Sequence, residues 1–510
     1  MSNSTGSIDN KDKLSKKAIG QEMLYQWEGR PKFRYAYPVA LQHLLAMFVS
    51  NLTPIILIGG AAQATPEQML VMIQCAMVVS GLATLVHLYP IKLWKLQIGA
   101  RLPIVMGTAS TFVAPGIGVA AAAVAGGHTN PIGLVVGGLM VASIAELIVG
   151  LTYKWIGRFF PPLVIGATLI AIGLMLIPIG INNFAGGPRF IRGEVLNPYY
   201  FQDGIRYIEG DVLNPNFGTP TSLTIGFTVF FVGLFLQRFG KGIYKISSIL
   251  IAIIVGYILS AALGVFSLPE FGQDIVAANW VQVPIPWYLQ PVFEWDAIRS
   301  FIVIFVISGL STIGYTNSIT SGGFGRKATD QEVSAAIVCD AVSSAFASVF
   351  NCLPSTEFGQ NAGMVAMTRI VNRWVFTLTA ITLILAGFFP KIGIIFRAIP
   401  TPVLGGAILA VFAMILTNGM QIIAEDGFSP RNITVLCAVF GIGIGFGGDT
   451  AAFAGLPGWL QVIFADRITL VACSAIAINL LFPRDKKEPE PEPIKVEIEP
   501  DEPIKIEIEP

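Results

Sequence analysis

The sequence predicts an all-helical polytopic membrane protein, and three observations carry the prediction. Of 510 residues 54% are hydrophobic and 13% charged, against roughly a quarter charged in a soluble globular chain. Mean hydropathy is +0.68. Apolar stretches of about 20 residues, the length a bilayer demands, recur along the chain between short charged or Pro/Gly-rich connections.

In chain order, residues 1–32 carry Lys11, Lys13, Lys16 and Lys17 with no apolar run, so they read as a solvated cytoplasmic tail rather than a cleaved signal. Clear spans follow near 36–58, 68–91, 131–153, 159–180, 221–237, 243–266, 298–319, 333–353, 373–390, 400–424, 431–447 and 456–482. Segments 102–118 and 355–371 are apolar but interrupted by polar residues and glycine, and count as broken spans. The total is about fourteen.

Basic residues in short loops set orientation. Lys92, Lys95, Arg101, Lys154, Arg158, Arg238, Lys241, Lys245, Arg326, Lys327, Arg373 and Arg431 all fall on one side if both termini are cytoplasmic; Lys391 and Arg397 count against that arrangement. The long loop 181–220 and the Pro/Trp-rich loop 267–296 are then external, the aromatics of the latter reading as interface anchors. The five cysteines, Cys75, Cys339, Cys352, Cys437 and Cys473, show no CxxC spacing and read as small core residues. At the end, EPIKVEIEP at 492–500 and EPIKIEIEP at 502–510 repeat with a period of ten. Alternating Pro, acidic and apolar residues there suit an extended cytoplasmic tail over 483–510.

A larger repeat underlies the spans. PLVIGATLI at 162–170 matches PVLGGAILA at 402–410, and LPIVMGTAS at 102–110 matches LPSTEFGQNAG at 353–363, in the same order and at nearly the same offset. The expected halves are 33–240 and 241–482. Seven spans per half is odd, so the second half enters the membrane inverted, and the broken spans 3 and 10 become a corresponding pair at the midplane.

The breaks have a physical purpose. Unpaired backbone at membrane depth is tolerated only where it is buried in protein or lines a cavity, and half-helix N-termini offer free N–H donors. Gly359 and Gly363 let a flat ligand approach the backbone, while Gln360 and Asn361 offer amide donors and acceptors. A planar polar heterocycle meets both demands.

QNAGMVAMTR at 360–369 resembles the signature of the nucleobase–ascorbate transporters, also called the nucleobase:cation symporter-2 or xanthine/uracil permease family. QH at 42–43 is similar to that family's first-span pair, and PTPVLGGAILAVFAMI to its twelfth span. The resemblance runs from about 34 to 482. It implies a core domain of spans 1–4 and 8–11, a gate of spans 5–7 and 12–14, a homodimer made through the gates, and elevator-like movement. By residue, it implies that Gln360 contacts the base and Asn361 braces the site. Thr368 and Arg369, with Gln42, bear on selectivity, while His43 and Asp340 support or couple the site. Short strand-like segments are implied at the breaks, where Gly359, Ala109 and Ser110 line the substrate position.

The departures from the family pattern are specific. The eighth span reads SGLSTIGYTNS, with Ser311 and Tyr315 where the family usually has acids, and the third reads GTAS with Phe112 two residues on. A hydroxyl cannot replace a carboxylate in charge or proton binding. Glu357, three residues before Gln360, becomes the candidate to restore that charge. Each choice has a plainer reading: His43 as a packing histidine, Arg369 as a topology anchor, Ser311, Thr312 and Asn317 as interhelical packing groups. Glu146, His87 and Asp449 sit in no motif, and Glu146 reads as helix-packing glue or a snorkelling group.

Three function classes follow. A secondary transporter for a purine or pyrimidine base such as xanthine or urate, coupled to a proton or sodium gradient in the cell membrane, accounts for motif and repeat together. An anion carrier or facilitator of the same seven-plus-seven fold, sulfate-permease-like, is the alternative. An intramembrane enzyme lacks HExxH, GxSxG and Walker-type motifs and has only three histidines to work with. No cofactor, metal or nucleic-acid partner is expected; the expected partners are a small nucleobase, a coupling ion, lipid and a second copy of the chain.

Overall fold

Helix starts in this chain are written in Thr/Ser-Pro pairs. The hydroxyl accepts from the backbone two or three residues on, and the proline that follows has no N–H to leave unpaired. Thr65, Thr219 and Ser429 cap helices this way; Thr329 caps another and forms a reciprocal box with Glu332. The computed structural model describes residues 22–482 except 95, 157–160, 188, 197–206, 242, 267, 448–454 and 456–466. The C-terminal repeat, Asp449 and Arg158 lie outside the described residues.

In chain order the elements are α1 (Phe33–Ala61), α2 (Pro66–Leu88), a hairpin of β1 (Ile91–Leu93) and β2 (Leu96–Ile98), and β3 (Met106–Thr108), which leads through the 3-10 turn Ser110–Phe112 into α3 (Val113–Ala125). The chain continues with α4 (Pro131–Ile156), α5 (Pro162–Phe184), β4 (Phe190–Leu196), β5 (Tyr207–Leu213), α6 (Pro220–Phe239), the short α7 (Ile243–Ile246) and α8 (Ser248–Ala262). After α9 (Leu268–Ala277) come α10 (Trp295–Ser318), α11 (Asp330–Val349), β6 (Ser355–Glu357) and α12 (Gly359–Thr368). Last are α13 (Arg373–Gly387), α14 (Pro390–Arg397), α15 (Thr401–Asp426), α16 (Pro430–Phe446) and α17 (Arg467–Leu481).

Among the described residues, eight helices are long and apolar enough to cross a membrane, and the pair α13 and α14, bent by 82°, raises that to nine. Four of the five remaining expected spans are shorter apolar helices, namely Ser110–Ala125, Ser248–Ala262, Pro430–Phe446 and Leu470–Leu481; the fifth, 355–371, is the strand β6 followed by the ten-residue helix α12. The packing comes in matched pairs. Helix α4 lies on α10 and α11, and α13 lies on α1 and α2; α6 packs on α8 and α15, and α16 on α17 and α5. Each pair maps onto the other when an element is exchanged for its counterpart in the other half.

Helices α5 and α15, which carry the repeated Pro-x-x-x-Gly-Ala, pack on each other through glycine. A Cβ on Gly166 would lie 2.7 Å from the Gly419 carbonyl and one on Gly419 2.7 Å from the Gly166 carbonyl. At Gly405 a Cβ would lie 2.0 Å from the Phe184 nitrogen, so only glycine lets these backbones meet.

Several loop expectations differ from the structure. Loop 181–220 contains the β4–β5 hairpin, in register Gly193↔Gly210, because seven residues on each side alternate well enough to pair. Loop 267–296 contains α9. Residues 22–32, read as part of a solvated tail, are docked: Leu24 is buried, and its carbonyl accepts from the Val371 and Asn372 N–H groups. The Asn372 side-chain amide donates to the Met23 and Gln26 carbonyls at 2.9 Å each, and Glu28 pairs with Arg101 and Arg373. Cys75, Cys339 and Cys352 are buried as expected, whereas Cys437 and Cys473 are exposed on the outer faces of α16 and α17.

Candidate functional site

The two interrupted segments meet. Strand β3 pairs antiparallel with β6, Met106 opposite Glu357 and Thr108 opposite Ser355. The ladder is extended at both ends by Phe358 N–H donating to the Val105 carbonyl at 3.0 Å and Ala109 N–H to the Pro354 carbonyl at 2.9 Å. Neither strand could satisfy its backbone alone at membrane depth, and each supplies the other's partners. Side chains of neighbouring helices hold the ladder in place. The Asn51 Oδ1 of α1 accepts from Thr108 N–H at 2.6 Å, Thr84 Oγ1 of α2 accepts from Met106 N–H at 2.9 Å, and Ser344 Oγ of α11 donates to the Ser355 carbonyl at 3.2 Å.

Each strand then opens into a helical turn, β3 into Ser110–Phe112 and β6 into α12. Their first N–H groups have no intrahelical acceptor. Between these two turns and α5, α10 and α15 lies a cavity of about 60 Å³, smaller than the roughly 300–1,000 Å³ of typical small-molecule sites. Ala109, Ser110, Ser311, Tyr315, Glu357, Gly359 and Gln360 all line it.

Glu357 is buried, and its Oε1 accepts from Thr316 Oγ1 at 2.8 Å while Oε2 has no partner among the described residues. It lines the same cavity as Ser311, which lies five residues before its donor Thr316 on α10. Ser311 donates to the Ile307 carbonyl of its own helix at 3.3 Å. Gln360, half-buried on the first turn of α12, has no hydrogen-bond partner among the described residues. Gly359 faces the Tyr315 ring: a Cβ there would lie 2.8 Å from its nearest carbon.

Other expected site residues lie elsewhere. Asn361 does not line the cavity; its Nδ2 donates to the His43 carbonyl at 3.2 Å, tying α12 to α1. His43 is likewise behind the site, its ring 4.5 Å from that of Phe376. Gly363 faces open space and not the cavity, so it gives no close approach to a ligand there. Thr368 and Arg369 are exposed at the far end of α12, where Arg369 ends the helix in the left-handed conformation, φ 58°. Gln42 is half-buried on α1 outside the cavity lining. Phe112 is buried against Phe305, centroids 4.6 Å apart, rather than facing the cavity.

Asp340 is buried one layer back. Thr312 Oγ1 donates to its Oδ2 at 2.5 Å, and His87 Nε2 lies 3.8 Å from its Oδ1. Ala100 N–H donates to His87 Nδ1 at 3.4 Å, so the ring proton is on Nε2, facing the carboxylate. His87 was legible only as a histidine in an apolar span; its contact with Asp340 joins α2 to α11. Glu146 is fully buried and so does not snorkel. From α15 the cavity receives Met414 and Asn418, and from β3 and its turn Thr108 and Thr111, none of which stood out in the sequence. Among the described residues no group of three or more His, Cys, Asp or Glu is placed to hold a metal.

A cavity between two half-helices inside a bundle of apolar helices defines a membrane permease rather than an enzyme. The chain belongs to the xanthine/uracil permease family: the model of that family, described as "Permease family", matches residues 35–451. Among characterised relatives, the xanthine permease XanP of Escherichia coli K12 is 29% identical over 471 residues, covering 91% of this chain and 96% of that protein. The uric acid permease PucJ of Bacillus subtilis is 27% identical over 456 residues, covering 89% and 94%. Among solved structures, the transmembrane domain of the cyanobacterial bicarbonate transporter BicA aligns with a TM-score of 0.51 at 14% identity over 89% of this chain and 98% of that one. SLC26A9 aligns at 0.55 and 12% over 86% and 64%. At such identities the structural likeness concerns the fold alone.

Proposed function

We propose that the protein is a secondary transporter for a purine base of the xanthine or urate kind. The observation that carries this is Gln360, whose amide, free of any described protein partner, faces a cavity between two half-helix N-termini. A primary amide offers one acceptor and two donors in a plane, the complement of the N–H and C=O edge of an oxidised purine. The unpartnered Thr111 Oγ1 and Glu357 Oε2 add an adjustable hydroxyl and an acceptor to the same cavity. The relatives named as xanthine and uric acid permeases support the same substrate class.

In this reading α1–α4 and α10–α13 form the core domain, carrying the cavity's polar wall past a gate built from α5, α6, α8 and α15–α17. Met414 and Asn418 of α15 are the gate's face toward the substrate. Movement is elevator-like and driven by an ion gradient, the gate domains of two copies pack together, and both termini are cytoplasmic in the cell membrane.

Uptake into proteoliposomes and thermal-shift binding across xanthine, urate, hypoxanthine, uracil, ascorbate, sulfate and bicarbonate test the reading. Xanthine or urate is expected to bind and be carried, with the response weakened in Gln360→Ala. Binding of sulfate or bicarbonate alone would refute it.

A further inference from the structure

Glu146 has no role in the cavity, and its environment is unusual. It sits in mid-α4 with 0% exposure, and neither carboxyl oxygen has a hydrogen-bond partner among the described residues. Helix α11, which packs on α4, carries Asp340, whose Oδ1 is also without a hydrogen bond. An ionised carboxylate in an apolar interior without donors is strongly disfavoured. Such a carboxyl group is placed to exchange a proton.

The surroundings give that proton somewhere to go. Against Glu146, α10 places Gly309, with a Cβ position 3.4 Å from the Glu146 Cγ, and Ser308 is the residue before it on that helix. Ser308 also lines the substrate cavity. Helix α11 contributes Asp340; beyond it lie His87 of α2 and Glu357 of β6, and α3 brings no titratable group to this face. A change in α10 or in the β3–β6 ladder when substrate arrives would be felt by both carboxyl groups.

We propose that Glu146 is the carboxyl group that takes up and releases the coupling proton, doing from the fourth span what the hydroxyl of Ser311 cannot do from the eighth. The step is a simple transfer: the O–H bond of the carboxylic acid breaks, the proton passes by way of the Ser308 hydroxyl to water in the cavity, and a carboxylate remains until it is reprotonated from the opposite side. The inference rests on the transporter reading above, and its failure is separable from that reading's.

The test uses reconstituted full-length protein with xanthine and urate. Counterflow, which exchanges substrate without net proton movement, is expected to survive in Glu146→Gln, whereas accumulation driven by a one-unit pH gradient falls from about tenfold to about one. Accumulation by Glu146→Gln at the wild-type level, or accumulation that follows a sodium gradient instead, would overturn the proposal. Absence of counterflow in the wild type with every base would remove the transporter reading itself. Should Glu146→Gln fail to fold, wild-type protein still decides: infrared difference spectra on substrate binding are expected to show a protonated carboxyl band that shifts in Glu146→Asp, and no change in that band refutes the assignment.

Discussion

Gly359→Ala separates a backbone requirement from a site requirement. Gly359 is the first residue of α12 with no positive φ, so helix propensity alone favours alanine there by up to about 1 kcal/mol. Space forbids it: the new Cβ would sit 2.8 and 2.9 Å from two Tyr315 ring carbons and 3.1 Å from the hydroxyl. Restoring ordinary contact at 3.5–4.0 Å moves the ring by roughly 0.7–1.2 Å. Because Tyr315 lines the cavity, the displacement is read by the ligand. Overpacking of this kind costs about 1–3 kcal/mol, a loss of about five- to 150-fold in affinity if it is expressed at the site. Isothermal titration of xanthine or urate into purified protein measures it, with Gly359→Ala/Tyr315→Ala completing a double-mutant cycle. The double variant is expected to recover part of what the alanine lost. Wild-type affinity in Gly359→Ala, or strict additivity in the cycle, would refute the reasoning.

Other expectations follow from single contacts. Gln360→Ala is expected to weaken base binding by about ten- to 100-fold, one or two hydrogen bonds to the ligand, while leaving the melting temperature of the ligand-free protein unchanged, since its amide holds nothing in the described protein. Gly405→Ala drives a Cβ to 2.0 Å from a backbone nitrogen; with no side chain able to yield, a cost of about 3 kcal/mol should appear as a lowered melting temperature in detergent. Asn372→Ala removes the donor to the Met23 and Gln26 carbonyls and the cap on Trp374 N–H at 3.0 Å. Limited proteolysis should then cut within 22–32 faster than in the wild type, consistent with a loss of about 1–3 kcal/mol.

How far the sequence carried depends on the range of the interaction. The apolar spans and their glycines were legible because lipid imposes length and composition locally, and the Gln360 motif because Pro354 and Gly359 visibly interrupt an apolar run. The β4–β5 hairpin and the docked segment 22–32 were missed, since each depends on a partner, within the loop or some 350 residues away, that no local pattern announces. Asn361 and Gln360 are neighbours with similar side chains, yet one faces the cavity and the other α1. A helix turns by about 100° per residue, and only the placement of α12 decides which of the two meets the ligand.

Sequence by itself therefore determined the membrane class, the duplicated halves, the family and the short list of polar residues at the breaks, all of them properties of composition and spacing. Tertiary structure decided how those residues divide: Glu357, Gln360, Ser311 and Tyr315 share one cavity, Asn361 and His43 brace α12 from behind, and Asp340 meets His87 and Thr312 one layer back. The physical reason is that a buried charge is defined by what surrounds it in three dimensions. Glu146 lies in the middle of an apolar helix where sequence offers no partner, and only the packing of α4 on α10 and α11 shows that it is fully buried with neither oxygen hydrogen-bonded among the described residues.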